Sequence, residues 1–449
     1  MKDMIRIGNG QGFWGDSIDA PIRLAKDGPL NYLTLDYLAE VTMSIMQRQK
    51  LKNSNVGYAR DFTNLVKRIL PEIQQKDLKV ITNAGGVNPQ ACRNELLELV
   101  KPSGKEIKIG VIQGDDIFPK LQELRNQGVS FDKMDTGESF DKIAGHVYSA
   151  NVYINSSTIS EALEKEAQIV LAGRVSDPGL ALGPCIYEFN WDESDYNLLA
   201  AGTLAGHITE CGAQCTGGNY SRWQDVPDLA NIGYPIIEMH PNGLFCITKH
   251  EGSGGLVNRE TIGEQILYEM GDPNNYISPD VCVDFTSFSL KDLGNNCVEI
   301  TNVKGFTPTD SYKVSISYFA GYKAAGQLTV SGPNAYEKAQ LTADIIWKRL
   351  ENAGAKFEDT STEYLGLSSC HGEINPIPEQ LNEVVLRLGV RDMDKNKVNR
   401  FGKEIAPVIT NGPPGITGFS GGRPKAQEIV AYWPALIPKE LVQTAVDVV

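Results

Sequence analysis

Short runs of β-branched and aliphatic residues recur through the first half of the chain, and each breaks directly into a small, polar or glycine-rich segment. The runs lie at 4–7, 79–82, 107–112, 147–154 and 169–172. They lead into IGNGQGFWGDS (7–17), NAGGVNP (83–89), QGDD (113–116), NSSTIS (155–160) and GRVSDPG (173–179). Helical patterns lie between them: one over 35–49, and a stripe of Phe62, Leu65, Val66 and Ile69 that ends at Pro71. Strand and helix in alternation predict βαβ units and a parallel sheet. In an open parallel sheet the loops after the strands gather along one edge, where ligands bind. The expected fold is therefore α/β, with a Rossmann-like parallel sheet in a first domain over residues 1–225.

After about residue 225 strand-like runs follow one another, at 235–239, 244–248, 281–285, 298–303, 313–319 and 326–330. A helix over 336–350 rests on Tyr336, Ala339, Ala343, Ile346 and Leu350, with Gly354 as its stop, and a strand follows at 384–388. This predicts a second, α+β domain over 226–449 with a mostly antiparallel or mixed sheet, packed against the first.

Charge narrows the function classes. Lys and Arg number 42 against 56 Asp and Glu, a net charge of −14, which argues against a nucleic-acid binder needing a basic footprint. No apolar stretch is long enough for a membrane span, and the first residues lack the apolar core of a signal peptide, so a cytoplasmic location is expected. The eight cysteines contain no C-x-x-C pair and read as thiols, most of them in the core. No metal site is expected. Glycine, at 44 residues, is enriched after the apolar runs, consistent with backbone approaching a ligand at several points.

The first glycine segment contains a G-x-G-x-x-G at Gly10, Gly12 and Gly15, in the position of a dinucleotide fingerprint. Phe13 and Trp14 are bulky for a pyrophosphate loop. Asp36 lies in a helical pattern and not at the end of a clear second strand. An anion or acyl-ligand site, with Asp16 beside it, and a structural turn stay open as the other readings. Asn83, Gly85 and Gly86 offer amides at a helix start, and HEGSGGLVN (250–258) repeats that logic with Ser253, Gly254, Gly255 and the preceding Lys249. Asp115, Ser156 and Arg174 with Asp177 fall on the other strand-following loops. There Arg174 either clamps an anion or closes a turn with Asp177.

GHITECGAQCTGG (206–218) carries the most chemistry. It ends a helix that begins near Leu198 and places His207, Glu210 and Cys211 at spacings of three and four, on one helical face. A His or raised-pKa Glu moves protons near neutral pH, and a Cys thiolate acts as nucleophile. The alternative is a buried helix end in which His207 and Glu210 satisfy each other. His371 and Arg423 read as structural.

These segments, with KHEGSGGLVN (249–258), EQILYEMGDPNNYISPDV (264–281) and NGPPGITGFSGGRP (411–424), closely resemble the acyclic terpene utilisation family across nearly the whole chain. The resemblance implies a catabolic context in which acyclic terpenes such as geraniol and citronellol are activated as CoA thioesters and degraded. It also implies a small ferredoxin-like domain, appended in some relatives and separate in others. This chain stops soon after AYWPALIPKEL (431–441), so a separate small partner protein is the expectation if one is needed.

The leading expectation is a homo-oligomeric catabolic enzyme of lyase or hydratase type, acting on a CoA-linked or other anionic branched or unsaturated acid by hydration, dehydration or carbon–carbon cleavage. His207, Glu210, Cys211 and Asp177 are its catalytic candidates, and the glycine loops with Lys249 and Arg174 hold negative charge. The cofactor is open, with a CoA thioester as substrate carrier. The rivals are a non-catalytic subunit of a catabolic complex and a nucleotide-dependent enzyme.

Overall fold

The computed structural model describes residues 2–39, 41–104, 106–374, 376–377, 381–418 and 421–449. Two compact units emerge: Met1–Tyr318 with Tyr432–Val449, and Phe319–Ala431. The segment 411–424 singled out above includes residues 419–420, which lie outside the described residues.

The chain runs through β1 (Ile5–Asn9), α1 (Ala20–Asp27), β2 (Tyr32–Leu35), α2 (Thr42–Lys52), α3 (Arg60–Gln75), β3 (Lys79–Thr82), α4 (Pro89–Val100) and β4 (Ile109–Gln113). Next come α5 (Leu121–Asn126), β5 (Val147–Val152), α6 (Ser157–Glu164), β6 (Ile169–Leu171), α7 (Gly179–Phe189) and α8 (Tyr196–Thr209). Then follow β7 (Pro235–Met239), β8 (Phe245–Lys249), α9 (Arg259–Leu267), β9 (Tyr276–Ile277), β10 (Cys282–Asp284), β11 (Ser289–Gly294), β12 (Cys297–Thr301) and β13 (Lys304–Phe306). β14 (Ser311–Ser331) leads into α10 (Ala335–Asn352), β15 (Asp359–Leu365), β16 (Glu383–Asp392), α11 (Lys395–Ile405), β17 (Ile416–Thr417), β18 (Gln427–Pro438) and β19 (Ala445–Val448).

In the larger unit ten strands form one mixed sheet, in the order β11-β12-β8-β7-β1-β2-β3-β6-β4-β19. β1, β2, β3, β6 and β4 pair in parallel, and the flanking strands pair antiparallel. Every residue of β2 and β6 is buried, as parallel strands covered on both faces require. On one face Leu24, Phe62, Leu65 and Leu96 of α1, α3 and α4 pack with Leu33, Val80 and Leu171. On the other, Ile159, Leu182 and Leu204 of α6, α7 and α8 pack with Ile5, Ile81 and Val170.

Several expectations change. The fold is mixed α/β, but antiparallel β7 occupies the side of β1 where a doubly wound fold reverses its parallel strand order. β7, β8, β12 and β11 extend this same sheet instead of starting another. β5 leaves the parallel sheet and pairs antiparallel with the start of β14, where Ser149 and Ser317 share a 2.6 Å hydroxyl contact. The runs at 313–319 and 326–330 are one strand of 21 residues. The apolar pattern at 35–49 resolves into the end of β2 and the start of α2, so Asp36 follows a strand after all.

The smaller unit has the order β-α-β-β-α-β, with β15-β16-β14-β17 as its sheet path and β18 also against β14. This is the split βαβ arrangement. Ala339, Ile346, Val398 and Phe401 of α10 and α11 pack with Leu328, Val330, Leu386 and Leu388 on one sheet face.

Candidate functional site

The loops after the parallel strands meet, as their shared edge demands. The Asp36 amide donates to the Gln11 carbonyl at 3.0 Å, and Asn83 donates through Nδ2 to Asp36 Oδ1 at 2.6 Å while accepting from the Tyr37 amide at 2.7 Å. The Arg174 amide donates to Asp115 Oδ2 at 2.7 Å, and Asn151 Nδ2 donates to the same oxygen at 3.0 Å. The Arg174 guanidinium, only 1% exposed, donates to the Leu38 carbonyl at 2.8 Å and to Asp177 Oδ2 at 3.0 Å, and lies over the Tyr153 ring at 4.2 Å. Burial pushes Asp115 up to about 7, and burial with the nearby Asp177 charge holds Asp36 well above the ordinary carboxylate range.

α8 delivers the second half of the site. Asp195 caps its start by accepting from the Leu198 amide at 3.3 Å. Gly206 lets its last turns lie directly on Pro178, whose Cα a Cβ would meet at 2.6 Å. The helix end is then pinned to the first glycine loop. Asn9 Nδ2 donates to the Thr209 carbonyl, and Gly12 lies so close to Cys211 that a Cβ would meet its carbonyl carbon at 2.7 Å. The space over Gly12 is thus filled by protein backbone, not left open for a pyrophosphate.

His207 and Glu210 face each other on this helix end, with Nδ1 and Oε1 3.1 Å apart, while His207 Nε2 reaches the Ile266 carbonyl at 3.2 Å. A carbonyl only accepts, so Nε2 carries a hydrogen, and one further proton is shared between Nδ1 and Oε1. Burial pushes Glu210 up to about 7 against the pull of His207. Burial also opposes charge on His207, but the Glu210 carboxylate outweighs it and raises the imidazole. Glu210 Oε2 is buried without a hydrogen-bond partner among the described residues.

Tyr276 and Phe285 stack at 4.7 Å, and each ring lies about 5 Å from the His207 ring. Burial, with the Glu210 and Asp177 charges, raises the Tyr276 hydroxyl, so it remains a neutral donor. Burial pushes Cys211 up to about 12, leaving a thiol beside the pair instead of an activated thiolate.

Other expected site residues make local contacts. Asp16 accepts from Tyr234 at 2.6 Å and from the Gly12 amide at 3.0 Å. The Gly10 amide donates to Thr34 O and the Gly86 amide to Asn83 O, while Gly85 lies tight against Pro89. The Gly254 and Gly255 amides donate to Asn231 and Pro227. Lys249 bonds the Ser253 carbonyl at 2.8 Å, and Ser253 donates to the His250 carbonyl at 2.6 Å, closing a self-contained turn. Ser156 binds Asp280 through its amide and hydroxyl, at 2.8 and 2.9 Å. Among the described residues no cluster of His, Cys, Asp and Glu is arranged to hold a metal, and no helix is long and apolar enough to cross a membrane.

Asp36, Asn151, Tyr153, Tyr276 and Phe285 escaped the sequence reading of the site. Asp36 carried a local signal, a carboxylate directly after a short apolar run, and Tyr276 lies in the 264–281 segment that carries the family resemblance.

Residues 5–448 match the family model described as acyclic terpene utilisation family protein AtuA. No curated protein and no solved structure matches the chain.

Proposed function

The chain belongs to the acyclic terpene utilisation family, and from that membership we propose that it is a catabolic enzyme performing acid/base chemistry on a branched or unsaturated acid carried as a CoA thioester or a similar anion. The observation that carries this reading is the buried His207–Glu210 pair with its one shared proton. Glu210 Oε2 is the atom left to meet a substrate, and a carboxyl near pH 7 gives and takes a proton with comparable ease. His207, fixed by the Ile266 carbonyl, receives the proton from Oε1 when Glu210 ionises and returns it afterwards. That cycle suits hydration, dehydration or carbon–carbon cleavage next to a carbonyl. Tyr276 supplies a neutral hydroxyl beside the pair, a donor for the oxygen on which negative charge develops. Asp177, one-third exposed and held by Arg174, stands at the solvent side of the carboxylate group.

The test is proton exchange. Purified protein incubated in D₂O with branched, α,β-unsaturated acyl-CoA thioesters is expected to place deuterium on the carbon next to the thioester, or to hydrate the double bond, as read by mass spectrometry. Absence of both exchange and turnover across such a series would favour a non-catalytic subunit.

A further inference from the structure

The smaller unit presents a groove on the sheet face opposite α10 and α11, with a volume of about 780 Å³, within the range of small-molecule sites. Lys323, Arg391, Arg423 and Lys425 line it, with Asp359 as the one acid. Four cations around one carboxylate contrast with a chain whose net charge is −14.

Their placement is the informative part. Lys323 of β14 and Arg391 of β16 are direct cross-strand partners in an antiparallel ladder. Like charges facing each other there are destabilising. Arg391 has a partial counter-charge in Asp359, 3.5 Å away, but Lys323, Arg423 and Lys425 form no ion pair among the described residues. Arg423 and Lys425 are also held in place. The Ala426 amide donates to Asn399 Oδ1 at 3.0 Å, and Pro424 lies directly against Gly402 of α11. Gly421 and Gly422 leave open space over their backbone, and Ser361, on the same sheet face as Asp359 and Arg391, also lines the groove.

We propose that this groove binds a small molecule bearing two or more phosphate groups, whose oxygens bridge Lys323 and Arg391 and are gripped from the loop by Arg423 and Lys425. Guanidinium groups match phosphate geometry in pairs and ammonium groups add point charge. The inference is independent of the chemistry proposed for Glu210.

Titration calorimetry on the full chain, with pyrophosphate, ADP, inorganic phosphate and citrate at fixed ionic strength, tests it. Pyrophosphate and ADP are expected to bind and to raise the melting temperature, with inorganic phosphate weaker and citrate weaker still. Lys323→Gln and Arg423→Gln should each weaken binding at least tenfold. Without ligand, Lys323→Gln should melt no lower than the parent, because it removes a repulsion. Failure of pyrophosphate and ADP to bind at millimolar concentration, binding untouched by either substitution, or citrate binding as tightly as pyrophosphate would each overturn the proposal.

Discussion

The two oxygens of Glu210 differ: Oε1 meets His207, and Oε2 has no hydrogen-bond partner among the described residues. Glu210→Gln keeps the shape and removes the ionisation. It is expected to cut turnover by roughly 10²–10⁴-fold, the usual worth of general acid–base catalysis, with the melting temperature nearly unchanged. Kinetics and thermal melts on the same samples check this, and activity falling only in step with stability would return Glu210 to a structural role. Asp115 gives a residue-scale test of a different kind. Folded, it holds its proton up to about pH 7, whereas an ordinary aspartate loses it near 3.8. The folded state therefore binds more protons than the unfolded chain between those values, so the contribution of Asp115 to stability falls as pH rises from about 4 to about 7 and levels off above. Urea unfolding across that window should show the slope, and Asp115→Asn should flatten it.

Two helical glycines make opposite demands on their elements. In α8 a Cβ on Gly206 runs into the backbone of Pro178, and overpacking of this kind costs about 1–3 kcal/mol. In α9 a Cβ on Gly263 meets nothing within 4 Å, and alanine in place of glycine in a helix gains about 0.5–1 kcal/mol. Gly206→Ala is expected to lower the melting temperature and activity together, because it displaces the turns that carry Glu210, while Gly263→Ala raises the melting temperature and leaves activity alone. The same elements show what sequence does and does not disclose. The strands at 79–82 and 169–171 were legible because an apolar run ends abruptly in glycine, and the His207–Glu210 contact followed from helical spacing alone. β2 was hidden because four residues, Tyr32 to Leu35, running into a helical pattern are too few to show a period of their own. β5 was assigned to the wrong sheet because periodicity exposes a strand's faces but not a partner more than 150 residues away. Tyr276 and Phe285 reach His207 from a distant segment, so helical spacing around His207 does not announce the contact, although Tyr276 lies in the 264–281 segment that carries the family resemblance. Several glycines read as ligand-facing, Gly85 and Gly254 among them, lie tight against neighbouring backbone, a closeness that spacing in the sequence does not reveal.

At the scale of the whole molecule, the smaller unit is continuous in sequence and has a core of its own, from Ala324 to Ile416. Residues 319–431 expressed alone are expected to unfold cooperatively and to show a mixed α/β circular dichroism spectrum; a fragment that stays disordered would show that its stability is borrowed. The larger unit is discontinuous, and its last stretch matters out of proportion to its length. Trp433 donates to the Phe131 carbonyl at 2.9 Å, Ala435 and Ile437 are fully buried, and β19 covers the edge of β4. On the ribosome this means that the first 318 residues emerge well before the strand that seals them. At roughly 5–20 residues per second the intervening segment imposes a delay on the order of 10 s, during which the edge of β4 has no cover and is open to pairing with other nascent chains. The smaller unit meanwhile has all the sequence it needs, so it is complete first. Synthesis of residues 432–449 is thus the event that lets the larger unit close.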